Sequence, residues 1–366
     1  MKTSLHRLVI LDSLRGLASL IVLFHHVFKL NALYFQELNH RVYIILEFVS
    51  NLNQQAVLFF FILSGFSIGL SLKRLPLTSS ADVNNYYYRR FKRILPIYWI
   101  ALIISFICGI LTNTVYTKDF SFYNFSGNIF FLQTSSSATP AWFTPYGLNG
   151  PLWSLAFEFF FYVLFPITYI FDKKYLTGYS SLFKYFILSI ATICSIAVNR
   201  LLFVPYFLFF GNFILWVLGY LISQTYIHRR RYDKIFVVSF ILSAFCLYVE
   251  NRYHLSRSIY MISNGLIISS FYYFFVVVGG FANALFFKSI VSKLSIILNN
   301  LFSTIGRGSY AMYAFHYPLL LTFNYYNLTI EMQIVVLVLF VFLCILVEER
   351  LIKYSFSFLK KNYVTY

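Results

Sequence analysis

The stretch Leu11–Phe28, LDSLRGLASLIVLFHHVF, places Arg15 and His26 inside a segment that is otherwise apolar enough to cross a bilayer. Ionisable side chains at that depth are costly and mark a functional site by default. The two are eleven positions apart, close to three helical turns. Both side chains therefore leave one face of the helix, ~16 Å apart along its axis. One face then carries a cation in the inner half of the membrane and an imidazole in the outer half. That arrangement suits chemistry conducted across a membrane.

The rest of the chain agrees. Its 366 residues are 60% hydrophobic, 22% aromatic and 11% charged, whereas a soluble domain carries about 25% charged residues. Length alone would allow two soluble domains. Apolar stretches near twenty residues recur, however, and read as spanning helices. The pattern predicts an all-α membrane protein, a bundle of about ten transmembrane helices. They fall at 8–28, 54–72, 94–112, 152–171, 183–200, 205–224, 234–250, 259–280, 304–324 and 330–347. Gly306, Arg307, Gly308 and Ser309 dilute the start of the ninth. The segment 281–300 reads as lying along the inner surface. With both termini cytoplasmic, 22 of the 29 Lys and Arg fall on the inner side and 6 on the outer, Arg15 lying within a span. That bias is the positive-inside pattern. A single domain over 1–366 is expected, with its core at 8–347 and no appended soluble domain.

The net charge of +17 does not point to nucleic acid. The basic residues are spread over the inner loops, where anionic lipid attracts them, and no nucleic-acid motif accompanies them. Cys108, Cys194, Cys246 and Cys344 sit in separate apolar spans without metal or disulfide spacing,; no metal is expected. The first span lacks a small-residue cleavage pattern and does not read as a cleaved signal peptide. The longest outer loop, 113–150, is rich in Ser, Asn, Thr, Phe and Tyr. It either covers a site opening outward or is a loosely packed connector.

Five stretches hold residues with chemical use. The first is Asp12 to His26. A buried neutral His is a candidate general base; His26 is nearly in line with Arg15, whereas the adjacent His25 is rotated by ~80°. The competing reading is a histidine that only bonds a neighbouring helix. The second, Phe59 to Phe66, contains Ser64 and Gly65, where small residues permit close helix approach. That packing role outweighs a catalytic serine, because no nucleophile elbow surrounds Ser64. The third, Arg89 to Trp99, is a basic cluster entering a span from inside. It reads both as a topology anchor and as a phosphate site built on Arg90 and Arg93. The fourth, Gly150 to Glu158, contains Trp153 and sets a lone carboxylate two turns past an outer turn. Glu158 needs a partner inside the membrane, and His26 stands at the depth expected for one. The fifth, Gly306 to Pro318, aligns Ser309, Tyr313 and His316 on one helical face. There His316 falls toward the outer side, and the competing reading is a polar packing residue next to the helix-kinking Pro318.

These five stretches, in this order, resemble the acyltransferase-3 family of integral-membrane acyltransferases. The first helix of that family carries an Arg, ten residues and a His, matched by Arg15 and His26. Its S-G-F segment is similar to Ser64–Gly65–Phe66. Its R-x-P-x-Y is matched in spirit by Arg93 through Tyr98, its L-W-S-L-x-x-E by Leu152 through Glu158, and its S-Y-x-x-Y-x-x-H-x-P by Ser309 through Pro318. The resemblance implies about ten spans and transfer of an acyl group, usually acetyl from acetyl-CoA, to a hydroxyl. The usual acceptors are sugars of a cell-surface glycan, such as O-antigen, or a lipid-linked sugar. It implies a bacterial inner membrane. Under it, Arg93 and Arg90 meet CoA phosphate, with Arg15 holding the donor or polarising its thioester. His26 is general base or transient nucleophile and Glu158 orients it through direct contact or one water. Ser64, Trp153, Ser309, Tyr313 and His316 support the substrates. The competing class is a transporter or flippase for a lipid-linked glycan, which also uses intramembrane charge; no inverted repeat is visible. Partners would be acetyl-CoA, the sugar acceptor and the lipid bilayer.

Overall fold

The segment around Arg15 and His26 is one continuous helix, α1 (Val9–Leu30). It belongs to a computed structural model that describes residues 9–134, 141–202, 204–228, 234–253, 262–274, 276 and 293–362. After α1 come a short α2 (Ala32–Gln36), then α3 (His40–Asn51) running almost directly into α4 (Asn53–Leu72). They are followed by α5 (Ser80–Leu111), α6 (Phe122–Ile129), α7 (Leu152–Tyr175), α8 (Ser181–Leu202), α9 (Phe207–His228) and α10 (Lys234–Tyr253). Helix α11 occupies 262–274. The chain continues through α12 (Lys293–Gly306), α13 (Ser309–Tyr325) and α14 (Ile330–Asn362).

Among the described residues, α1, the joined α3–α4, α5, α7, α8, α9 and α14 are each long and apolar enough to cross a membrane. Their apolarity is sided. On α5, Ile103, Phe106, Ile107 and Ile110 are exposed while Ile97, Tyr98, Ala101 and Leu102 are buried. On α14, Ile334, Val335, Val338 and Phe342 form the corresponding exposed stripe. Exposed stripes of this composition face lipid, and the chain is a helical membrane protein. Helix α10 carries a shorter apolar stretch, Phe236–Phe245. The expected eighth span, 259–280, lies partly outside the described residues.

Several boundaries differ from the sequence reading: α5 begins at Ser80 rather than 94, and α14 runs to Asn362 rather than 347. The helix at the expected ninth span begins at Ser309 rather than 304, because α12 ends at Gly306 and a turn closes through Arg307 and Gly308. Of the expected surface segment, 281–292 lies outside the described residues. Its remainder, 293–300, starts α12, which packs along α1.

Small residues set the closest crossings. A Cβ on Gly16 would overlap the carbonyl oxygen of Phe302, and one on Gly306 the carbonyl oxygen of Asp12, so α1 and α12 meet backbone to backbone. Helices α4 and α9 cross the same way, Gly65 against Trp216 and Gly219 against Ile62. Such contact substitutes for the hydrophobic drive that lipid removes.

The described part of the connection between α5 and α7 is packed, not loose. Asn124, Asn128, Gln133 and Asn149 are all buried in it. Asn128 joins three segments: its Nδ2 donates to Thr144 O (2.8 Å), its Oδ1 accepts from Tyr146 N (3.0 Å), and its carbonyl accepts from Tyr98 OH (2.9 Å). Gly147 (φ 63°) and Leu148 (φ 59°) turn through the left-handed region. That turn drives the chain inward, so α7 starts on buried residues, Pro151 and Leu152, within the bundle.

Candidate active site

Arg15 leaves α1 toward α4. Its Nη2 donates to Ser67 Oγ (2.7 Å), and Nη1 lies 3.7 Å from Asp12 Oδ1, one turn below. Ser64, Ser67 and Ser71 share one face of α4 at i, i+3 and i+7. Ser71 accepts from Arg90 Nη2 (3.3 Å), and Ser67 returns its own hydrogen to Leu63 O (2.7 Å). The serine face of α4 is therefore where the cations of α1 and α5 meet.

Ser64 serves a different partner. Its Oγ and the Tyr162 hydroxyl each donate to Glu158 Oε1, at 3.0 and 2.7 Å, and stand 2.7 Å apart. Trp216 Nε1 donates to Ser64 Oγ (3.2 Å) from α9. Glu158 and Tyr162 share a face of α7 at i and i+4, with Ser154 one turn earlier. Ser154 Oγ bonds the Tyr313 hydroxyl (2.6 Å) on α13. A cavity of about 50 Å³ lies between Arg15, Arg93, Ser64, Glu158, Tyr310 and Tyr313. It has room for a few waters. Ser309 and Ser154 also line it.

Arg93 approaches the cavity from α5, and its Nη2 lies 3.8 Å from Glu348 Oε1. Glu348 is 1% exposed. Its other oxygen accepts the backbone N–H groups of Tyr310 (3.1 Å) and Ala311 (3.2 Å), orphan donors at the start of α13,. One carboxylate thus caps a helix and balances a cation. Arg90 sits a turn away, its guanidinium over the rings of Tyr86 (5.7 Å) and Tyr162 (5.9 Å). Its Nε is buried and has no partner among the described residues.

At the far end of α1 stand three imidazoles. His25 Nδ1 bonds Ser50 O (2.8 Å) and lies 3.1 Å from Ser50 Oγ, tying α1 to α3. His26 turns the other way. Its ring centroid is 5.1 Å from that of His316 and 4.7 Å from that of Tyr317. Below His316 on α13 comes Tyr313, ring to ring at 5.9 Å. Pro318 has no N–H to give Ala314; Asn149 Nδ2 meets that freed carbonyl instead (3.0 Å).

Arg15, Arg93, Ser64, Glu158, Ser309 and Tyr313 thus surround one cavity, and His26 with His316 lies beyond its Tyr313 end. Trp153 stands behind the wall, packed edge-on against Phe61 and Phe157. The expected contact between Glu158 and His26 is not formed. The expectation assumed that α7 starts at the membrane boundary. Glu158 is instead engaged by Ser64 and Tyr162 and lines the cavity beside Arg15. Four residues of the site escaped the sequence reading. Ser154 and Tyr162 lie at i−4 and i+4 of Glu158, a spacing that could have flagged them. Glu348 fell just past the expected end of the last span, and Tyr310 reads as one aromatic among many.

No curated protein and no solved structure matches the chain. A family described as an acyltransferase domain matches residues 8–348, nearly all of the 366, and takes in every helix that contributes to the cavity and to the histidine cluster. By that match, the chain belongs to the acyltransferase-3 family of membrane acyltransferases.

Proposed function

We propose that this membrane acyltransferase moves an acetyl group from acetyl-CoA to a hydroxyl of a cell-surface glycan or lipid-linked sugar. The observation that carries the reading is the line of polar side chains across the bundle. It runs from Arg15 and Arg93 through Ser64, Glu158 and Tyr162 to Tyr313 and Ser154, and on to His316 and His26. Intramembrane polar groups are costly, and a line of them fits a donor and an acceptor that arrive from opposite sides.

In this reading both termini are cytoplasmic, in a bacterial inner membrane. CoA phosphate meets Arg93 and Arg90 from inside, guanidinium being suited to phosphate. The unpartnered Nε of Arg90 is a donor in reserve for it. Arg15, held by Ser67 and Asp12, stands ~16 Å from His26 along α1 and holds the pantetheine arm of the donor. His26 takes the proton of the acceptor hydroxyl, whose oxygen attacks the carbonyl carbon. The C–S bond breaks, and His26 returns the proton to the departing thiolate. Acetyl ester and free CoA result. Glu158 keeps the two arginines compensated between turnovers.

The test is direct. Protein in liposomes, given acetyl-CoA inside and a panel of sugar acceptors outside, should release free CoA only when an acceptor is present. Mass spectrometry of surface glycan from cells with and without the gene should differ by one acetyl group. Sugar movement across the bilayer without CoA release would replace acyl transfer by transport.

A further inference from the structure

His316 has a fixed tautomer. Its Nδ1 lies 2.8 Å from the carbonyl oxygen of Tyr313 and 3.1 Å from that of Met312. Carbonyls only accept, so Nδ1 carries the hydrogen. In the neutral ring, Nε2 is then a bare lone pair. It is buried, and it has no hydrogen-bond partner among the described residues. An orphaned acceptor inside a membrane protein is costly and asks for an explanation.

The explanation stands beside it. The His26 ring lies 5.1 Å away, centroid to centroid, with the two planes inclined by 35°. Rings at that distance can bring an N–H of one onto the lone pair of the other after a small rotation. Glu158, which the sequence offered as the partner of His26, is engaged by Ser64 and Tyr162. His25, the other adjacent imidazole, is engaged by Ser50. His316 is the acceptor left over.

We infer that His316 positions His26: the Nε2 lone pair of His316 accepts the N–H of His26 and so decides which nitrogen of His26 is bare toward the acceptor hydroxyl. The backbone carbonyls of Met312 and Tyr313 fix His316, and His316 fixes His26, a relay of tautomers from a helix backbone to the reacting base. When His26 takes the hydroxyl proton, its second N–H remains bonded to His316, which spreads the positive charge over two rings. When the thiolate leaves, His26 gives that proton to sulfur and the pair returns to its starting state. The role taken elsewhere by a carboxylate beside a histidine is filled here by a second, neutral histidine. This deepens the acyl-transfer reading and rests on it.

The experiment has an activity arm and a spectroscopic arm. In the first, His316→Phe keeps an aromatic ring but removes the acceptor. It should lower kcat by ~10²-fold or more with the apparent KM for acetyl-CoA nearly unchanged. His316→Gln offers an amide oxygen near the position of Nε2 and should recover at least a tenth of wild-type kcat. His316→Phe together with His26→Ala should cost little beyond His26→Ala alone. Near-wild-type turnover in His316→Phe, no recovery in His316→Gln, or additive losses would overturn the inference. In the second arm, protein labelled with nitrogen-15 at histidine is examined in detergent, the His316 signals being those missing from His316→Gln. They should be those of the Nδ1–H tautomer, and the Nε2 signal should move in His26→Ala. An Nε2–H tautomer, or a signal indifferent to His26→Ala, refutes the pairing even where no acyl transfer is detected. Absence of transfer with the Nε2 signal responding to His26→Ala would instead sink the proposed reaction and leave the pairing standing.

Discussion

Two adjacent histidines at the end of α1 have opposite duties. His25 bonds Ser50 and holds α3; His26 faces His316 and Tyr317. His26→Ala should therefore abolish transfer at normal membrane levels, while His25→Ala should keep most of it and lose about 1 kcal/mol of stability for one hydrogen bond. Radiolabelled acetyl transfer per unit of folded protein checks both, and equal losses would reverse the assignment. Arg93 offers a second contrast. Arg93→Ala should raise the acetyl-CoA KM more than it lowers kcat; an unchanged KM would leave Arg93 a topology anchor. Single residues were legible in the sequence where charge stood out against an apolar background, as at Arg15, His26 and Glu158. Their pairing was not. Glu158 and His26 were matched on depth, and depth depends on where α7 starts, which a buried turn decides rather than hydropathy. Tyr162 and Tyr310 escaped for a simpler reason: among 31 tyrosines, composition gives no means of choosing.

Elements fix the site through their ends and their crossings. Glu348 ties the start of α13 to Arg93 of α5. Glu348→Ala would strand a half-buried guanidinium and two buried N–H groups, at a cost of about 3 kcal/mol or more. Glu348→Gln keeps an oxygen for the N–H groups and should cost less. Thermal unfolding in detergent gives the order, and equal losses would remove the capping role. The α4–α9 crossing is stricter. Gly65→Ala or Gly219→Ala forces a methyl into a facing backbone carbonyl, and should cost about 1–3 kcal/mol or more. Gly178→Ala, with nothing within 4 Å of the added carbon, should stay within about 0.5 kcal/mol. Elements were largely legible because a spanning helix must be long and apolar. The break at Gly306–Gly308 and the continuity of α3 with α4 were less so. Both are settled by tertiary contact: Gly306 serves close approach to Asp12, and Ser50 ties α3 to His25 of α1.

For the whole molecule, the 22-to-6 distribution of Lys and Arg over ten expected spans predicts both termini in the cytoplasm. A C-terminal reporter that works only outside the cytoplasm should stay silent, and one that works only inside should be active; the reverse would turn the donor and acceptor sides around. The narrow cavity has an implication of another kind. In the proposed reaction the chain of hydroxyls, carboxylate and imidazoles lies between two aqueous compartments, which would also make it a route for ions, and cells live on the gradient it could short-circuit. The cavity walls are aromatic, with Phe60 edge-on to Tyr313 (5.9 Å) and Phe61 stacked with Phe157 (6.2 Å). Those rings act as a gasket. Phe60→Ala should make proteoliposomes leak protons, read by an entrapped pH-sensitive dye, while wild-type vesicles hold their gradient. Under the proposed transfer, the same tightness would bear on the donor: an acyl group much larger than acetyl would have to part the rings, and the membrane barrier would then select the size of the group transferred.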